Sequence, residues 1–112
     1  MNRQPWYASF ANYAANGSLP EGMNYQQRMR FLFEAEKYFW DEPYLYKWSP
    51  DQIVQRCIPE EEQPAILDSC HGSDYGGHFS GKKTALKVLH SGFFWPSLFK
   101  DAAEWAKQCD SC

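Results

Sequence analysis

Two histidines and two cysteines of this chain stand at spacings that suit a single metal ion. His71 and His78 are separated by six residues. Thirty residues further on come Cys109 and Cys112, with two residues between them. Structural zinc sites take four cysteine or histidine ligands in a tetrahedron. A Cys-x-x-Cys pair lets two thiolates grip one ion from one turn, although a redox dithiol has the same spacing. Redox pairs sit at a helix N-terminus after a strand, where the helix dipole lowers the thiol pKa. Here the pair follows the end of a predicted helix, which favours the metal grip. The histidines are too far apart for adjacent helical turns, so they must meet through a loop. Gly76 and Gly77 suit that loop because glycine tolerates positive φ.

The neighbouring candidates read differently. Cys70 directly precedes His71, and adjacent residues do not both reach one ion without strain, so Cys70 is read as a bystander. Cys57 is read as a small buried apolar residue, and His90 as an exposed or core-edge histidine. A catalytic zinc would keep an open position and a general base nearby. The acids in this region, Asp74 and Asp110, lie in neither a His-Glu-x-x-His nor a His-x-Glu arrangement. No Ser/His/Asp order, phosphate loop or carboxylate dyad stands out. The expected cofactor is therefore one structural Zn2+.

The rest of the chain must position those ligands. Its 112 residues, 44% of them hydrophobic, suffice for little more than one small domain. The aromatic share, 18%, exceeds what so small a core encloses, so some rings are expected at the surface. A formal net charge of −3 argues against nucleic-acid binding driven by bulk charge. The charge is uneven: residues 1–70 carry −4 and residues 71–112 carry +1. Lys82, Lys83 and Lys87 cluster at one helix start, either as a solvated face or as a phosphate-contacting patch. No run of apolar residues is long enough to span a membrane. The N-terminus lacks the apolar core of a signal peptide, so a reducing compartment is the default. A ligand as the last residue, Cys112, suggests a fragment of something longer.

Helical spacing places Trp6, Phe10, Tyr13 and Ala14 on one face of a first helix. A second helix is expected over Tyr25–Tyr38, with Met29, Leu32, Phe33 and Glu36 at helical spacing and Arg28, Arg30, Glu34 and Lys37 exposed. Turn signals at Asp41–Pro43 and Ser49–Asp51 bracket "YLYKW" and "QIVQRCI", which read as an antiparallel unit of two or three strands. A helix ending at His71 begins either at Glu60 or, with Pro64 at its first position, near Gln63; Ile66 and Leu67 face the core. "SGKKTALKVLHSGF" reads as a helix capped by Ser80, with Ala85, Val88 and Leu89 inward and Gly92 as its stop. Pro96 opens a last helix with Leu98, Ala102, Trp105 and Cys109 on one stripe. The fold class expected is α+β, mainly α: a small β-hairpin followed by a three-helix bundle stabilised by zinc.

The order His, His, Cys-x-x-Cys resembles the zinc-binding N-terminal domain (HHCC, or H2C2) of integrases. It is most similar to that of gypsy-type LTR retrotransposons of plants. The stretches carrying the resemblance are "YFWDEPYLYK", "QIVQRCIPEEE", "GGHFSGKKTALKVLHSGFFWPSLFKDA" and "CDSC". The resemblance implies a helix-turn-helix-like pair within the bundle and His71, His78, Cys109 and Cys112 as zinc ligands. It implies residues 1–37 as a helical linker between ribonuclease H and integrase regions of a pol polyprotein, 38–58 as a small antiparallel β extension, and 59–112 as the HHCC domain. The D,D-E carboxylate triad of the catalytic core is not in this sequence, so no enzyme activity is expected. Implied partners are DNA, bound weakly at retrotransposon ends, and other integrase protomers, with no membrane. The implied location is intracellular, in a cytoplasmic particle and the nucleus. Two other readings compete: a protein-interaction module presenting Trp40, Tyr44, Tyr46 and Trp48, and a thiol-disulfide enzyme using Cys109 and Cys112.

Overall fold

The first helix, α1 (Ala8–Asn16), stops where Gly17 takes a φ of +79° and its N–H bonds the Tyr13 carbonyl, a left-handed cap suited to glycine. In the computed structural model, residues 4–71 and 80–108 are described, and the chain divides into two compact units between Cys57 and Ile58. The second helix, α2 (Tyr25–Ala35), starts with a reciprocal cap. Gln27 N–H donates to Asn24 Oδ1 at 2.8 Å, and Asn24 N–H donates to Gln27 Oε1 at 3.0 Å, satisfying two otherwise orphaned donors.

Three strands complete the first unit: β1 (Tyr38–Asp41), β2 (Tyr44–Trp48) and β3 (Val54–Cys57). They pair antiparallel in chain order, with Trp40 opposite Leu45 and Tyr46 opposite Arg56. The Glu42–Pro43 turn joins the first two strands. Between β2 and β3, Ser49 N–H closes the turn by donating to the Ile53 carbonyl at 3.0 Å. Both turns fall where the sequence signals them.

The helical faces of this unit depart from expectation. α2 ends at Ala35, and Tyr38 belongs to β1. Its buried residues are Phe31 and Ala35, whereas Met29 is exposed and Phe33 is 65% exposed. The reason is ring packing from a neighbour. Phe10 of α1 stacks on Phe31 at 5.0 Å and on Tyr38 at 4.6 Å, which turns the Phe31 side of α2 inward. Phe10 and Tyr13 are half-buried on the expected α1 face, but Ala14 is exposed, and Trp6, also half-buried, lies in the turn before the helix.

In the second unit, a 3-10 turn (Glu60–Glu62) leads into α3 (Gln63–His71). Pro64 thus sits in the first turn, where its missing N–H costs nothing. The helix α4 (Gly81–His90) starts at Ser80, whose Oγ accepts the Lys83 N–H at 3.3 Å. It stops before Gly92 at a φ of +92°. A two-residue strand, β4 (Phe93–Phe94), follows, and Ile58 N–H donates to the Phe94 carbonyl at 3.0 Å. The last helix is α5 (Leu98–Lys107). Trp95, just before it, is 1% exposed, and its indole N–H donates to Asp101 Oδ2 at 2.9 Å. Ser97 Oγ donates to the same oxygen at 2.7 Å, which fixes the entry to α5.

The core of this unit is Ile58, Leu67, Ala85, Val88, Trp95, Leu98 and Ala102. Leu89 and Trp105, expected inward, are only half-buried; the buried α4 positions are Thr84, Ala85 and Val88. α4 packs against both α3 and α5. A β-carbon added to Gly81 would lie 2.6 Å from Ala103 Cα, so only glycine lets α4 start this close to α5. The fold class is α+β and mainly helical, as the sequence indicates.

Candidate metal centre

His71 is the last residue of α3 and is 3% exposed. Histidine is usually at least partly exposed, and a buried polar ring needs a partner. One partner is across the helix interface: His71 Nδ1 lies 3.2 Å from Thr84 Oγ1. Thr84 is itself fully buried, in the first turns of α4. The imidazole is therefore held by two elements, α3 through its backbone and α4 through its ring nitrogen.

The other three expected ligands, His78, Cys109 and Cys112, lie outside the described residues. Among the described residues no cluster of three or more His, Cys, Asp or Glu side chains forms a metal-binding group. What the structure provides is the frame on either side. The start of α4 is common to both halves, because Thr84 meets His71 and Gly81 meets Ala103 of α5. The later part of α5 also runs beside α3, where Gln63, Pro64 and Leu67 share a groove with Glu104, Trp105 and Gln108. Two imidazoles and two thiolates suit Zn2+ in chemistry, and a buried, hydrogen-bonded imidazole is the form in which zinc sites use histidine.

Cys70 takes a different direction from its neighbour. It is buried, and burial raises its thiol pKa, against smaller lowering effects of Lys87 and of a hydrogen bond with Ser91. Thr84 and Ser91 are seven positions apart on one helix and its cap, about 10 Å at 1.5 Å per residue. Consecutive side chains thus meet α4 about two turns apart, which separates the Cys70 sulfur from the His71 ring.

Lys82, Lys83 and Lys87 are all exposed along α4, and His90 is exposed at its end. Cys57 is buried at 1% exposure, and desolvation pushes its thiol up to about 12. Of the four aromatics grouped as one surface, Trp40, Tyr44 and Trp48 are exposed but Tyr46 is half-buried. Strand alternation also divides them. Trp40 pairs with inward Leu45, while Tyr44, Tyr46 and Trp48 share the other face with Phe39. On that face Phe39 stacks on Tyr46 at 5.4 Å and Arg56 covers Tyr44 at 4.0 Å.

Sequence reasoning overlooked Thr84. The available signal was a hydroxyl residue four positions before Val88 on the apolar stripe of an amphipathic helix. Such a residue requires a polar partner in the core.

Residues 58–112 match the family model described as the integrase zinc binding domain. That match begins at the residue where the second compact unit begins. Over 80 residues, 70% of the chain, it is 30% identical to gypsy retrotransposon integrase-like protein 1 of Homo sapiens, of Pongo abelii and of Mus musculus. The matched segment spans 15% of the length of each of those relatives. No described helix is long and apolar enough to cross a membrane.

Proposed function

We propose that residues 58–112, which match the integrase zinc binding domain family model, form a structural zinc domain of a retrotransposon integrase, with His71, His78, Cys109 and Cys112 as the ligands of one ion. The observation that carries this reading is the buried His71 at the end of α3, fixed by Thr84 within the matched segment. Zinc bound there would tie the α3–α4 connection to the end of α5. In finger-sized units structural zinc contributes roughly 10–16 kcal/mol of apparent binding free energy, enough to dominate a unit this small.

The domain's work in this reading is placement rather than catalysis. It helps position DNA ends and join integrase protomers, and strand transfer belongs to the catalytic core. Residues 1–37 serve as the linker from a ribonuclease H region and 38–58 as a β extension. The setting is intracellular, in a cytoplasmic particle and the nucleus. Lys82, Lys83 and Lys87, exposed on one helix, supply the phosphate contacts.

Salt-dependent binding to duplex DNA tests the DNA role. Three phosphate contacts predict a log–log salt slope of about −2.7, since each contributes about −0.9. Replacing all three lysines by alanine should flatten that slope. Affinity immeasurable at low ionic strength would remove the DNA role. The exposed rings of Tyr44 and Trp48 would then favour the protein-interaction reading.

A further inference from the structure

We infer that Thr84 is a positioning residue for the metal: its hydroxyl holds His71 in the tautomer that presents Nε2 to zinc. The inference rests on the reading of His71 as a ligand. Its basis is the 3.2 Å contact between His71 Nδ1 and Thr84 Oγ1, made where both residues are buried.

A neutral imidazole carries one N–H and one lone pair, and a metal needs the lone pair. With Nδ1 directed at Thr84, coordination through Nδ1 would require the ring to leave this contact. Coordination through Nε2 leaves the contact intact. Nδ1 then keeps its hydrogen and donates it to Oγ1. Ligating histidines are commonly oriented by a hydrogen bond from the other ring nitrogen, and losing that partner typically costs 10- to 100-fold in metal affinity.

The helix gives Thr84 a rigid base. Its own N–H is bonded to the Ser80 carbonyl at 2.9 Å, and Ser80 Oγ caps the same turn by accepting from Lys83. Ala85 and Val88, both fully buried, pack α4 beside it. In the folded unit the hydroxyl is thus held by α4, and it fixes the ring it contacts. The hydroxyl oxygen is what the role requires here: valine keeps the shape without the oxygen, and serine keeps the oxygen without the methyl group.

The test is zinc affinity of the full chain, measured by competition with a chromophoric chelator, for wild type, Thr84→Val, Thr84→Ser and Thr84→Ala. Thr84→Val should lose about 10- to 100-fold, and Thr84→Ser should recover most of it. If valine disrupts folding, the comparison of serine with alanine decides, and serine must bind more tightly. Nitrogen-15 shifts of His71 in the zinc-loaded chain provide a second readout: a protonated Nδ1 with a metal-bound Nε2 in wild type, and a mixture of coordination modes in Thr84→Val. Wild-type uptake of zinc with equal affinity in the valine or alanine variants would overturn the role of Thr84 alone. Absence of zinc uptake by wild type would overturn it together with the metal site.

Discussion

His71 is buried at the end of α3, and its neighbours set what its loss should do. Replacing it with alanine opens a void beside Thr84 and leaves that buried hydroxyl without its imidazole partner. An unsatisfied buried polar group costs about 1–3 kcal/mol, before any loss of zinc. His71→Ala should therefore abolish zinc uptake and reduce helical circular dichroism, whereas His90→Ala, at an exposed helix end, should leave both unchanged. Equal losses from the two would show that the ligand assignment is wrong.

Cys57 makes a second prediction at this scale. Its folded pKa is raised by burial from 9.0 to about 12, with Lys47 pulling weakly the other way. Above pH 9 the unfolded thiol ionises while the folded one keeps its proton. The unfolded state then binds fewer protons, so stability falls as pH rises from about 9 towards 12. Tyr38, also raised chiefly by burial, adds loss in the same direction. Lys47, lowered chiefly by burial, acts oppositely below its ordinary value of 10.5. Urea titrations at pH 8 and pH 10.5 should show a smaller alkaline loss in Cys57→Val than in wild type. An unchanged loss would mean that the thiol is not sealed from water.

At the scale of elements, the α4–α5 contact turns on Gly81. At an exposed helical position, glycine to alanine ordinarily stabilises by up to about 1 kcal/mol. Here the new β-carbon would meet Ala103 backbone at 2.6 Å. Gly81→Ala should instead destabilise by about 1–3 kcal/mol, the usual cost of overpacking, seen as a lower urea midpoint. A midpoint that rises would deny the close approach.

The elements also show what a single chain makes legible. Caps and stops are readable because their signals are local: Ser80 before α4 and Gly92 after it. The inward face of α2 was not, because Phe31 is buried by Phe10 and Tyr38, which lie on other elements. The same holds for Thr84. Its residue type only hinted at a buried partner, and the partner sits on another helix. Of the candidate site, the residue types and their spacing were legible in the chain. The orientation of the His71 ring was not, since it depends on a contact between α3 and α4.

At the scale of the whole molecule, the chain divides into two compact units between Cys57 and Ile58, and the second coincides with the integrase zinc binding domain match. Its apolar core is a handful of side chains across three short helices. Units this small usually need a staple, and a structural metal is one of the few available. Chelation should therefore melt the helices of residues 58–108 cooperatively, with recovery on adding zinc. Helical signal unaffected by a strong chelator would mean that burial alone suffices. The most direct measurement is the metal content of the purified full chain after exhaustive dialysis. One zinc per chain is the predicted result, and a chain that is folded but holds no zinc would contradict the account.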